Sequence, residues 1–328
     1  MKKITKLILF IIAIIWIWVS INYNNFTKST LIKEEKVVQV KDWDTLNAVF
    51  QKLWVNKIFL KIYFSLNGTP KNLEVGKYIL KGGSTFAETI KQLETPQNQD
   101  MQVTFLEGWN IYDMDEKLTQ MGLIKKGEFV EKIRNNFKNF QQDFDFLASV
   151  KTLEGFLYPD TYNINPSSFT LDGIIYKMLK NFQDKVVSEL DKKYSSEKLL
   201  EIITLASIVE KEEKNKIEKP TVAGILKKRL NENWMIGADA TVCYPHKLTS
   251  EECKMVVSQY IEEKNGYNTR TMTWLPATPI ANPSDETIFA TINSEESPYY
   301  FYLHGSDGAI HYAVDNAWHE ANKMKYLK

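Results

Sequence analysis

The sequence predicts an α+β protein in three parts: an N-terminal transmembrane helix, a small βααβ subdomain and a larger α+β domain. Three observations carry that expectation. An uncharged, almost wholly apolar run opens the chain, short strand-like runs then mix with helical stretches without an internal repeat, and a polar segment around Pro96 divides them. With 328 residues, 44% hydrophobic and 25% charged, the chain can bury a core in two domains behind an anchor. Its net charge is zero, which provides no overall basic field to attract nucleic acid.

Lys2, Lys3 and Lys6 precede the apolar run from Leu7 to Ile21. With Ile4 and Thr5 that run approaches the roughly 20 residues that span a bilayer, and the lysines are expected to stay on the cytoplasmic side. No small-x-small cleavage pattern follows Ser20 to Asn25, so residues 1–23 read as an uncleaved anchor, in the cell membrane through 4–21, with the rest exported. Residues 24–35 read as a polar linker. The subdomain, 36–98, is expected to run from a strand at Lys36–Val40 through helices at Thr45–Leu53 and Ile58–Leu66 to a strand at Gly76–Leu80. Thr85 and Glu88 have capping-box spacing and open a helix to about Leu93. In 99–328 a strand is predicted at Met101–Leu106, followed by helices at about Tyr112–Met121, Phe129–Asn136 and Leu171–Lys192. A further helix starts at Ser196 and another spans Thr221–Leu230 behind Pro220. Short apolar runs between Thr287 and His311, with Gly305 and Gly308, predict a hairpin beside a helix.

The helix from Ser196 is the stretch around which the chain is organised. Ile202, Leu205 and Val209 recur at helical spacing and predict one buried stripe, with Ser195 or Ser196 as cap. Three residues further on, the stripe reaches Glu212. A carboxylate on the line of a buried stripe is partly desolvated, which raises its pKa and keeps it protonated as a general acid requires. Glu210, on the line of Ile203 and Ala206, is the second candidate. The bland alternative is that Glu210, Glu212 and Glu213 form a solvated helix end.

Leu205-Ala-Ser-Ile-Val-Glu-Lys-Glu212 resembles the signature of the endolytic murein transglycosylase family, the YceG-like proteins of bacterial cell-wall synthesis. Further matches follow in the family's order: Glu154 to Tyr162, the box Asp239 to Tyr244, the stretch Tyr267-Asn-Thr to Ile280-Ala-Asn-Pro283, and Tyr300 to Leu303 with His311 and His319. The resemblance implies that Glu212 is catalytic and that the 36–98 unit is a LysM-like subdomain, a type associated with glycan binding; a plain spacer is the alternative. It also implies a peptidoglycan glycan strand as substrate, peptidoglycan synthases as partners, and no metal or cofactor. Hydrolytic glycosidases generally use two carboxylates. A lytic transglycosylase needs one, because the attacking group is the C6 hydroxyl of the same N-acetylmuramic acid, and the product is a 1,6-anhydro end.

Among candidate substrate-binding residues, Asp239, Thr241 and Tyr244 suit sugar hydroxyls or the orientation of Glu212, although Asp-x-Thr is often a turn or cap. Tyr267, Asn268 and Thr269 offer a stacking face and amide donors for an N-acetyl group, or else shape the loop before Pro276. Glu154 is a possible second carboxylate in the cleft, and Asp160 and Asn282 complete the set. The alternatives from other classes are a non-catalytic wall-binding scaffold and a muramidase that admits water. Cys243 and Cys253 have no zinc-like spacing, and they either pair or remain buried thiols.

Trp43, Trp54, Trp234 and Trp274 stand where the resemblance leads one to expect glycine in turns. The 14 glycines amount to about 4% of the chain, below the roughly 7% of average usage. We therefore expect some of these tryptophans to be glycines in the source organism, their UGA codons misread. UGG at all four positions would end that idea. The alternative is real indoles that stack on sugars, a role that also suits Trp109.

Overall fold

The structure is a computed structural model. It describes all residues except Met1, 41–43, 54, 69–72, 74, 75, 95–100, 167, 191–193 and 328, and the side chains of 2–9, 11, 12, 15, 47, 52 and 77 are likewise left undescribed. Two compact units emerge: Met1–Gln102 with Asn163–Phe169, and Val103–Tyr162 with Thr170–Lys328.

The first unit starts with helix α1 (Lys2–Lys28). Among the described residues no helix is long and apolar enough to cross a membrane, and half of the side chains of the expected span 4–21 are not described. The order β1 (Lys36–Val40), α2 (Leu46–Lys52), α3 (Lys57–Asn67), β2 (Gly76–Leu80) is the expected βααβ, with β1 and β2 antiparallel and Lys36 opposite Leu80. Thr45 and Asn56 cap α2 and α3 through their side chains. The Thr85–Glu88 box closes reciprocally, Glu88 accepting the Thr85 N–H at 2.8 Å, and it starts α4 (Phe86–Glu94). Val40, Phe50, Tyr78, Leu80 and Phe86 form the core. The stretch expected as a linker, 24–35, is built into this unit: Phe26 packs on Phe86 at 4.4 Å and Ile32 is buried. Three apolar side chains in that polar stretch, Phe26, Leu31 and Ile32, pack on the core.

β3 (Met101–Thr104) pairs with β4 (Thr161–Ile164), and the division between the units falls within both strands. Between them lie α5 (Ile111–Gln120), α6 (Glu128–Asn135) and α7 (Lys138–Asp143). The long helix expected to Lys192 is α8 (Leu171–Phe182), which passes at Gln183 into a π turn and then a tighter turn through Leu190. Then come α9 (Ser196–Glu212), α10 (Lys219–Asn231), α11 (Ala240–Cys243), α12 (Ser250–Tyr260) and α13 (Asp285–Ile292). The expected hairpin is β5 (Phe301–His304) against β6 (Ile310–Ala313), followed by α14 (Asn316–Tyr326). Cys243 and Cys253 are disulfide-bonded, which joins α11 to α12.

Trp43 and Trp54 lie outside the described residues. Neither Trp234 nor Trp274 has positive φ; nearby, Asn233 and Gly237 take that conformation. Both indoles are exposed, at 43% and 64%, so the left-handed backbone that would demand glycine is absent at these two positions.

Candidate active site

Helix α9 forms the centre of the site. Ser195 caps it, accepting from the Lys198 N–H at 3.3 Å. From Ile202 to Glu210 every residue is buried, since α10, α11 and α13 all pack against it. This replaces the single buried stripe that the spacing predicts, and it reverses the order of burial: Glu210 is enclosed whereas Glu212 remains half-buried. Two residues turn the helix by about 200°, so the two carboxylates face different neighbours.

Glu210 is fully committed to protein groups. Its Oε1 lies 3.2 Å from Lys219 Nζ, and its Oε2 accepts the Ser284 N–H at 3.0 Å, the Ser284 hydroxyl at 2.8 Å and the Thr287 hydroxyl. Ser284 caps α13, so Glu210 ties the end of α9 to the starts of α10 and α13. Among the described residues the Glu212 carboxyl has one hydrogen bond: Tyr302 donates its hydroxyl to Oε2 at 2.8 Å. Burial of the carboxyl raises the Glu212 pKa, and Asp239 raises it further; the Tyr302 bond, His304 and Arg270 oppose this. Glu213 is buried, with Oε1 accepting the Asn215 N–H at 2.7 Å and Oε2 without a hydrogen-bond partner among the described residues.

A groove of about 1260 Å³ runs beside these residues, lined among others by Trp109, Asp160, Glu210, Asp239, Tyr244 and Lys254. Glu212 is not in its wall. Asp239 joins the two, since it lines the groove and is near enough to Glu212 to shift its pKa.

Of the remaining predicted residues, three reach the surface. Asp239 is exposed and pairs with Arg270 at 2.5 Å, Asp160 is half-buried with Lys185 Nζ at 3.0 Å, and Tyr267 is half-buried with its hydroxyl 3.0 Å from Thr278 Oγ1. Six are buried. Glu154 is wholly enclosed, accepting from Ile111 N–H and Tyr244 OH at 3.0 Å each and from Asn282 Nδ2 at 2.7 Å. Burial pushes its pKa up to about 8, against the pull of the Ile111 and Tyr244 bonds. It is therefore no second carboxylate in the cleft. Asn282 also accepts the Gly155 and Leu157 N–H groups at 2.8 and 3.0 Å. Gly155 has φ +91°, and a Cβ there would lie 2.6 Å from Pro279, so the turn beside Glu154 accepts only glycine.

Thr241 and Thr269 share a hydroxyl contact of 2.8 Å, and Asn268 Nδ2 donates to the Glu263 carbonyl at 2.7 Å. These three hold loops together, as the turn-forming alternatives for both motifs anticipate. Tyr244 is buried and adjoins the groove. Lys219, Ser284 and Thr287 are neighbours of the two carboxylates that sequence reasoning does not single out, and Tyr302 is met only as part of the stretch Tyr300 to Leu303. Ser284 and Tyr302 lie 74 and 90 residues from their carboxylates, and no local pattern connects them.

The class these features define is an α+β protein with a desolvated, sparsely bonded carboxyl, Glu212, near a groove. The chain belongs to the YceG-like family, whose sequence model matches residues 38–325. It is 26% identical to an endolytic murein transglycosylase of Bacillus subtilis over 269 residues, covering 77% of this chain and 73% of that protein. It is 25% identical to an endolytic murein transglycosylase of Streptococcus pneumoniae over 297 residues, 81% of this chain and 53% of the relative. Thus it spans about half the length of the streptococcal protein. A crystal structure of a yceG-like protein from Listeria monocytogenes shares the fold, with a TM-score of 0.56 and 22% identity over 88% of this chain and 99% of that one.

Proposed function

We propose that this protein is a membrane-anchored endolytic lytic transglycosylase that cleaves between N-acetylmuramic acid and N-acetylglucosamine in nascent peptidoglycan strands. The observation that carries the reading is Glu212: burial raises its pKa, Tyr302 holds one oxygen, and no bond to the other is found among the described residues. The names of the Bacillus and Streptococcus relatives support the same activity.

Protonated Glu212 gives its proton to the glycosidic oxygen as the bond from C1 to that oxygen breaks. The C6 hydroxyl of the same N-acetylmuramic acid attacks C1, and its proton passes to Glu212, which is ready for another cycle. The product carries a 1,6-anhydro ring. Glu210, with all its bonds to protein, has no part in proton transfer. Asp239, Asp160 and Tyr267 meet the glycan, while Glu154, Thr241, Tyr244, Asn268, Thr269 and Asn282 brace the walls.

Residues 4–21 anchor the chain in the cytoplasmic membrane with the second unit on the exported side. The βααβ unit is LysM-like and meets glycan, and peptidoglycan synthases are the partners whose strands are cut, which ends elongation. The test is digestion of purified glycan strands by the detergent-solubilised full chain, with products read by mass spectrometry. Anhydro ends are expected. Reducing ends would make it a hydrolase, and intact strands a wall-binding scaffold.

A further inference from the structure

We propose that Tyr302 is the positioning residue for the acid: its hydroxyl ties Oε2 of Glu212, so that Oε1 carries the working proton toward the glycosidic oxygen. The proposal rests on reading Glu212 as the acid.

Strand β5 is built to hold that phenol in place. Tyr302 stands opposite Tyr312 in the β5–β6 ladder, with Leu303 opposite His311. Arg229 on α10 donates from Nε to the Tyr300 carbonyl at 2.8 Å and so fixes the entry to the strand. Two residues along, His304 Nε2 lies 3.1 Å from the Glu212 carbonyl oxygen. One strand thus contacts both the backbone and the side chain of Glu212. The phenol is a donor across the working pH range, because burial and then the Glu212 charge push its pKa well above the ordinary value. Neither Tyr302 nor Glu212 is in the groove wall; the contact of Tyr302 with the reacting carboxyl is its hydroxyl bond, which makes it a positioning residue.

The groups that face Glu212 are Tyr302 and His304 from β5, Asp239 from the turn before α11, Arg270 from the following loop and Arg229 from α10, with Glu213 next in the chain. Asp239 and Arg270 are paired and their fields on Glu212 oppose each other. The Tyr302 hydroxyl is the one hydrogen bond to the carboxyl among the described residues. A donor to the charged form favours that form, so removal of this hydroxyl raises the pKa of Glu212 and frees its rotamer.

The experiment uses the full chain in detergent and Tyr302→Phe. The Glu212 carboxyl is titrated by carbon-13 NMR, its signal assigned by its loss in Glu212→Gln, and the pH profile of cleavage is measured in parallel. The variant should raise the Glu212 pKa, and with it the alkaline limb of the profile, by about one unit. Turnover should fall about tenfold at the optimum, with KM changed by less than about twofold, as positioning rather than binding is lost. A reduced turnover with both the pKa and the limb unmoved would overturn the proposal and leave Tyr302 a packing residue. If Tyr302→Phe does not fold, 3-fluorotyrosine at 302 keeps the ring and the hydroxyl as a stronger donor. It should move the limb to lower pH, and an unmoved limb again overturns the assignment. Full activity in Glu212→Gln would sink the reading of the acid, while the titration would still report on the Tyr302 bond.

Discussion

Glu210 and Glu212 stand two residues apart on one helix and have opposite surroundings. Around Glu210 a lysine, two hydroxyls and a backbone N–H fill both oxygens. Around Glu212 a single phenol holds one oxygen, and burial rather than pairing dominates its titration. A carboxylate surrounded by donors locks three helices together but can give no proton to a ligand. A desolvated carboxyl with few partners can do so. Burial of the whole residue would select Glu210, and the difference between the two lies in what the carboxyl is bonded to.

The comparison is broken most severely from the Glu210 side. Glu210→Gln leaves Lys219 buried without its counter-charge and turns an amide N–H toward the donors of Ser284 or Thr287. We expect a loss of about 3–5 kcal/mol in urea unfolding, with cleavage per folded molecule retained. An unfolding midpoint equal to the parent's would show that the Glu210 network contributes nothing.

Asn282→Ala comes next. It removes the acceptor for two buried N–H groups and the donor to Glu154, and each buried group left unsatisfied costs roughly 1–3 kcal/mol. A loss of about 3 kcal/mol by calorimetry is expected, whereas less than about 1 would mean that water replaces the amide. Reducing Cys243–Cys253 removes a cross-link spanning ten residues and should cost about 2–3 kcal/mol. The melting temperature in reductant checks this, and Cys243→Ser should be insensitive to it.

The smallest effect per step is a slope. Glu154 has its folded pKa raised from 4.5 to about 8, so the folded state binds more protons than the unfolded one in that window. Stability is therefore highest below about pH 4.5 as far as this group is concerned, and it falls toward pH 8 by at most about 1.4 kcal/mol per unit. The raised pKa of Glu212 acts in the same direction. Denaturation across this range should show the decline, and Glu154→Gln should flatten it while lowering stability overall. A rising stability between pH 5 and 8 in the parent chain would contradict the enclosed carboxyl.

The fold was legible in the sequence wherever local chemistry decided it. Thr45, Asn56, Ser195 and the Thr85–Glu88 pair cap their helices, and the strands Lys36–Val40 and Gly76–Leu80 have the expected bounds. Local pattern was insufficient where burial came from distant elements. The periodicity of α9 suggested one apolar stripe, yet three helices enclose it, and no spacing rule reveals that Lys219 and Ser284 converge on Glu210. Glu154, Thr241, Asn268 and Asn282 carried the family resemblance and lay near the site. Their sequence could not tell bracing from binding, because a buried amide and a sugar-binding amide are the same residue until its partners are known.

The most direct measurement is the rate at which Glu212→Gln forms 1,6-anhydro ends on purified glycan strands, corrected for the folded fraction. The amide keeps the shape and cannot donate a proton, so the rate should fall by about 10²-fold or more with unfolding unchanged or slightly improved at alkaline pH. If Glu212→Gln cleaves at the parent's rate, while Glu210→Gln is folded and inactive, the assignment of the two carboxylates is reversed.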